Sequence, residues 1–314
     1  MPARRLLVMA AVLLVACAAY LSWGARGDWA FILSFRGTKL AALIVTGTAI
    51  AVSTKLFQTI SGNRILTPSI MGFDALFVLL ETTLLFALGG FGYTMLDPAI
   101  RFAVTLVLMT LAAILLFGTL MHGTRRDLHR MILVGIIFGV LFRSLSSLLA
   151  RMIDPNEYAV LQANLFASFN QIELDLLGIS TVLIVVALFA AWRLRDTLDA
   201  MELGREIAIN LGIDYDRHVL VVLGIIAVLV SVATALVGPV VFFGLLITSL
   251  AYQIMPGFRH RDHLIANGLL AGIVLVAGQT LMERVFHLHT PLSVIIEMLG
   301  GLAFLILILR GHTR

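Results

Sequence analysis

Val219-Leu220-Val221-Val222-Leu223-Gly224-Ile225-Ile226-Ala227-Val228-Leu229-Val230-Ser231-Val232-Ala233-Thr234-Ala235-Leu236-Val237 runs without a charged side chain. At about 1.5 Å per residue, a helix of this length comes close to the ~30 Å hydrocarbon core of a bilayer. A barrel strand would instead alternate apolar and polar side chains over about 10 residues. In lipid every backbone N–H and C=O has to find its partner within the chain. Helix is the reading.

Composition extends that reading to the whole chain. Hydrophobic residues make up 60% and charged residues 13%, with a mean hydropathy of +1.04. A soluble domain carries about 25% charged residues. Ten candidate spans follow, near 6–23, 38–58, 70–88, 99–121, 131–150, 173–192, 219–237, 241–255, 264–283 and 292–309. The expected fold is all-α, one polytopic transmembrane domain over 1–314. Gly238-Pro239 interrupts the apolar run and predicts a bend between the seventh and eighth spans, with a re-entrant turn as the alternative. Cys17 stands alone, which excludes an intrachain disulfide or a thiolate metal cluster. Leu14-Val15-Ala16-Cys17, behind Arg4 and Arg5, has the form of a lipoprotein cleavage box. The apolar run continues through Tyr20 and Leu21, so an uncleaved first helix is expected.

Charge placement gives an orientation. With alternating spans, 15 of the 22 Lys and Arg residues fall on one side, Arg4, Arg5, Arg64 and Arg195 among them. The positive-inside rule then puts both termini and the polar 193–218 loop in the cytoplasm. Arg36, Lys39 and Arg284 fall at the outer ends of spans.

Within the 193–218 loop, Leu203, Ile207 and Leu211 recur every four residues, with Glu202, Arg205, Glu206 and Asn210 around them. Gly212 suits a C′ position closing a helix. Such a segment either rests on the membrane surface or docks into a groove on a cytoplasmic partner. The turn Asn63-Arg64-Ile65-Leu66-Thr67-Pro68-Ser69-Ile70-Met71-Gly72 joins the second and third spans. There Pro68 holds Thr67 out of the helical region, and Gly72 permits close backbone approach.

Several titratable residues fall within spans: Lys55, Asp74, Glu81, Arg143 and Glu297. Intramembrane charges face a bundle interior or a wet cavity. Glu81 and Glu297 are therefore candidates to line a path or face a second subunit, and such groups equally suit a proton relay. Glu283, His287 and His289 lie at a membrane edge, where interface residues are expected rather than a metal site. Lys39 and Lys55 are the two lysines, and neither follows the glycine of a Gly-x-x-x-x-Gly-Lys loop. The chain thus lacks the usual means to hydrolyse ATP. It also has no Gly-x-Ser-x-Gly or His-Glu-x-x-His motif.

Together these segments resemble the permeases of iron-siderophore and cobalamin ABC importers, the FecCD-type transmembrane subunits. Asn63, Pro68 and Gly72 fit that family's turn of the form Asn-Pro-Leu-Ala-x-Pro-x-x-Leu-Gly, with Arg64 in place of the first proline. Leu203, Gly204, Ala208, Leu211 and Gly212 meet its Leu-Gly-x-x-x-Ala-x-x-Leu-Gly coupling segment. Gly238 to Leu246 is similar to its Gly-x-Ile-x-Phe-x-Gly-Leu stretch, and Leu299 to Phe304 to its Leu-Gly-x-Pro-x-Phe stretch. Thr248-Ser249 stands where Pro-His is usual, and Gly278 and Gln279 occupy the region of a usual Asp. Such departures are those of a divergent branch that pairs with a second, different permease.

The resemblance implies a transport subunit rather than an enzyme, moving iron-siderophore complexes across the bacterial inner membrane. It would work with a second permease, two ATPase subunits and a periplasmic or lipoprotein binding protein. ATP and magnesium would bind in the ATPases, and this chain would hold no cofactor. Glu202, Leu203, Gly204, Arg205, Glu206, Ala208, Leu211 and Gly212 would couple to the ATPase. Arg36, Lys39 and Arg284 would meet glutamates on the binding protein. Cobalamin or haem is the alternative cargo, and a proton-coupled secondary transporter is the rival from another class.

Overall fold

A computed structural model describes residues 2–24, 29–121, 128–169, 172–255, 257–286 and 292–311. Its elements are α1 (Pro2–Ser22), α2 (Trp29–Ser61), a single 3-10 turn (Pro68–Met71), α3 (Phe73–Met95), α4 (Pro98–Met121) and α5 (Leu128–Ala150). There follow α6 (Pro155–Asn164), α7 (Leu174–Arg193), α8 (Arg195–Met201), α9 (Arg205–Asn210) and α10 (Tyr215–Val237). The chain ends with α11 (Phe243–Ile254), α12 (His260–Arg284) and α13 (Leu292–Gly311). Eight of these helices are long and apolar enough to cross a membrane, and α11 and α13 add shorter apolar segments.

The helices form an inner and an outer set. In α2 and α10, 67% of the apolar window is buried within the chain, against 11% in α1 and 22% in α4 and α5. Val107, Leu111, Ile114 and Leu115 of α4 point outward, as apolar side chains in contact with lipid should. Buried α2 is nonetheless rich in hydroxyls. Thr46 and Thr54 donate to the carbonyls of Ala42 (2.6 Å) and Ile50 (2.8 Å), four residues back. Each donor is therefore satisfied inside its own helix. α2 touches α12, α10, α11, α7 and α1, and so forms the axle of the bundle.

Two backbone features depend on glycine. Thr67 is extended (φ −126°, ψ 155°), Pro68 opens the 3-10 turn, and Gly72 turns left-handed at φ 90°. A Cβ on Gly72 would lie 2.8 Å from Gly139 Cα, so the turn seats directly on α5. At the expected bend, Gly238 has φ 94° and ψ 173°. Val237 C=O accepts from Ser168 N–H at 2.8 Å, and Ser293 Oγ donates to Ala167 C=O at 3.0 Å. The freed backbone is thus met by protein.

Three elements differ from expectation. α2 starts at Trp29, well before residue 38, because Arg36 and Lys39 are paired inside the chain and do not end the helix. α3 kinks at Gly89 (φ 67°, ψ 170°). α6 occupies a stretch where no helix was expected. Asp154 caps it by accepting from Asn156 N–H at 2.8 Å, with Pro155 at the first position.

Candidate functional site

The 193–218 loop folds as two short helices rather than one. Gly204, at φ 103° and ψ 162°, breaks the chain between α8 and α9. Leu203 and Leu211 therefore flank the six-residue α9, with Ile207 on it. All three are exposed, at 56%, 61% and 49% respectively. Gly212 (φ 83°) closes α9. Its N–H bonds Ile209 C=O at 2.9 Å while Ile213 N–H bonds Ala208 C=O at 3.1 Å, the double bond of a Schellman closure. Ala208 is fully buried. It seats α9 on the chain's own body and is no part of an outward contact face. Arg205 reaches back to Asp216 at 3.2 Å, and Glu206 is exposed.

Beneath this surface lies a polar network that ties the loop to three buried helices. Lys55 of α2 is 0% exposed. Its Nζ lies 3.4 Å from both carboxylate oxygens of Glu202 and donates to Tyr252 Oη at 3.0 Å. Asp199 Oδ1 accepts from the backbone N–H of His260 at 2.6 Å and meets its Nδ1 at 2.7 Å. His260 Nε2 in turn meets Thr59 Oγ1 at 2.7 Å. Gln58 Nε2 donates to Thr248 Oγ1 (3.0 Å) and to Arg64 C=O (2.6 Å), and the Arg64 guanidinium stacks 4.6 Å from the Tyr252 ring centre. α8 is thereby bonded to α12 directly through Asp199, and its cap residue Glu202 bonds α2 at Lys55, which in turn reaches α11. Burial in low dielectric makes such bonds stiff when every partner is in place.

The opposite end of α2 carries the other cluster, about 24 Å away along the helix. Arg36 Nη1 donates to the carbonyls of Tyr20 (3.3 Å), Leu21 (2.9 Å) and Trp23 (3.2 Å), and Nη2 donates to that of Gly24 (3.3 Å). It caps the C-terminus of α1, where orphan carbonyls gather. Arg284 packs on Gly24 from α12. Lys39 is buried in an ion pair with Glu283, which also accepts from Gln279. That burial turns the Lys39 charge inward. Arg36 and Arg284 lie side by side around Gly24.

Glu81 is turned into the chain. It is 3% exposed and accepts from Tyr93 Oη (2.7 Å) and Thr105 Oγ1 (3.3 Å), with Arg101 Nε at 3.8 Å. Each of these partners lies in α3 or α4, so its charge is neutralised within the chain. Glu297 of α13 is half-buried and accepts from Val241 N–H just before α11, a carboxylate at a helix N-terminus. Of the Glu283, His287 and His289 set, Glu283 is paired with Lys39, and the two histidines lie outside the described residues. Sequence reasoning missed Asp199, Tyr252 and His260 as partners of Lys55 and Glu202. Their signal was available: polar side chains at matching depth near the ends of otherwise apolar helices.

The bundle, with a tethered surface loop at one end and a basic cluster at the other, defines a multi-pass helical membrane protein. The chain belongs to the FecCD transport family, which it matches over residues 6–310. It is 44% identical over 287 residues to the petrobactin import system permease protein YclO of Bacillus subtilis (strain 168), covering 91% of each chain. It is 32% identical over 271 residues to the petrobactin import system permease protein FatC of Bacillus anthracis, covering 86% of this chain and 77% of that one. In fold it matches a solved inward-facing metal-chelate type ABC transporter with a TM-score of 0.84 at 20% identity, covering 98% of this chain and 99% of that one. It is a transport subunit and not an enzyme.

Proposed function

We propose that the chain is the permease subunit of an ATP-driven importer that carries iron-siderophore complexes inward across the bacterial cytoplasmic membrane. The observation that carries this reading is the exposed apolar knuckle of Leu203, Ile207 and Leu211, bonded through Glu202 to fully buried Lys55. A knuckle of that kind offers a partner a purchase, and the ion pair turns a push on the loop into a force on α2. Similarity to two petrobactin import permeases supports an iron chelate as cargo.

In this reading Leu203, Ile207 and Leu211 enter a groove on an ATPase subunit, and Glu202, Arg205 and Glu206 frame the contact. ATP and magnesium bind in two such subunits. A second permease completes the path, and a binding protein delivers cargo at the Arg36–Arg284 end, where charges give orientation and on-rate. Arg5, near the N-terminus, bonds Ile254 C=O at the loop end of the bundle. The N-terminus and loop therefore share a side, taken here as the cytoplasm, and α13 runs back toward it. This chain itself holds no cofactor.

The test is reconstitution of the complete complex in vesicles, with uptake of a radiolabelled ferric chelate followed as ATP is supplied at the loop face. Uptake that depends on ATP and on the binding protein is expected. Uptake undiminished when the ATPases are omitted would sink the importer reading.

A further inference from the structure

One cationic stripe has no role in the coupling machinery. Val140, Arg143, Ser144, Ser147, Leu148 and Arg151 line one open groove along α5 and its end, at the three- and four-residue spacing of a single helix face. Arg143, Ser144, Ser147 and Arg151 are all exposed. Arg143 lies well inside the span Ile132–Ala150. Its Nε donates to Gly139 C=O in its own helix at 3.3 Å. Asp74 on α3 lies within its electrostatic reach, yet among the described residues no ion pair to Arg143 forms.

Lipid is a poor neighbour for this face, because a guanidinium at that depth is costly unless it meets water or protein. α5 packs on α3 and on the Pro68–Met71 turn, which leaves the stripe uncovered. A second copy packed on it about a twofold axis would set like charge against like. Water, or an anion, between the copies removes that repulsion.

We infer that this face of α5 borders a water-filled path and that Arg143, with Ser144, Ser147 and Arg151, contacts the anionic oxygens of a polyanionic iron chelate in transit. The inference rests on the importer reading and adds the charge class of its cargo. Guanidinium offers paired N–H donors to catecholate or carboxylate oxygens, and the serines add hydroxyl donors. Asp74 tempers the positive field, which suits a path where binding must be weak enough to release.

The test uses the complete reconstituted complex and two probes, ferric triscatecholate as a trianion and a neutral ferric trihydroxamate. Arg143→Gln is expected to lower trianion uptake per assembled complex at least tenfold, and Arg143→Lys, which keeps the charge and loses the paired donors, to fall between the glutamine variant and the wild type. In a Cys17→Ser background, Ser147→Cys should react with a small hydrophilic thiol reagent, more slowly when ferric triscatecholate is being transported. Unchanged uptake by Arg143→Gln, a lysine variant as poor as the glutamine one, or a thiol at 147 that never reacts would each overturn the inference. So would a wild-type complex that imports only the neutral chelate, which leaves the importer reading intact. A wild-type complex that imports neither probe overturns that reading itself.

Discussion

Replacing Lys55 by methionine removes the charge beneath the coupling loop and keeps the aliphatic stem that fills the site. Two unit charges 3.4 Å apart attract by about 5 kcal/mol at an effective dielectric constant of about 20. Desolvation of the fully buried ammonium offsets much of that. Breaking a buried pair by removing one member costs about 3–5 kcal/mol. The Glu202 side chain is 25% exposed, so water relieves part of its orphaned charge, and the net loss should fall to about 2–3 kcal/mol. Glu202→Gln keeps a hydrogen-bond acceptor but leaves the fully buried ammonium without its counter-charge, and should cost about 3–5 kcal/mol. The double variant should then be more stable than the sum implies, by about 1–2 kcal/mol. Denaturant titration of the purified protein in detergent would give the cycle. Uptake should fall in all three variants, because a restored fold does not restore the tether. Additivity within about 0.3–0.5 kcal/mol, or normal uptake by the double variant, would refute the idea that this pair links loop to bundle.

Four further outcomes are expected. Leu203→Asp with Leu211→Asp should change stability by less than about 0.5 kcal/mol, since both side chains are exposed, yet release the ATPase on purification. Ala208→Trp should instead destabilise the protein itself by about 1–3 kcal/mol, and retained ATPase in the first variant would argue against the docking face. Arg284→Glu should slow binding-protein association about threefold to tenfold. The gap from wild type should narrow as salt shortens the Debye length from about 10 Å at 0.1 M to about 3 Å at 1 M; a gap independent of salt would point to a structural defect. Glu81→Gln keeps one acceptor oxygen and can donate its amide N–H to the other hydroxyl, and should leave uptake within about twofold of normal and insensitive to a protonophore. Abolished uptake in a folded Glu81→Gln protein would revive the proton-coupled transporter.

The spans were legible because lipid imposes one rule on every backbone group, and 219–237 reads the same way in sequence and structure. Where polarity was settled by distant partners, local reading failed. Arg36 and Lys39 looked like a helix boundary, but α1 carbonyls and Glu283 absorb them within α2. Glu81 looked like a path residue, because its partners Tyr93 and Thr105 are twelve and twenty-four residues away. The 203–212 segment was visible as a motif. Its tether was not, since Lys55 and Glu202 stand 147 residues apart. α6 could have been found from Asp154-Pro155 alone, a cap followed by the residue best suited to the first helical position.

Both lysines of the chain, Lys39 and Lys55, are spent on internal ion pairs, and every cationic side chain left at the surface is therefore arginine or histidine. Amine-directed chemistry should then be nearly silent toward the native fold. A succinimidyl ester should mark the α-amino group and little else, and a lysine-specific protease should find no accessible site. Either reagent becomes a clock for opening of the two ends of α2. Lys39 should respond first when the α1–α12 end loosens, and Lys55 when the loop lets go.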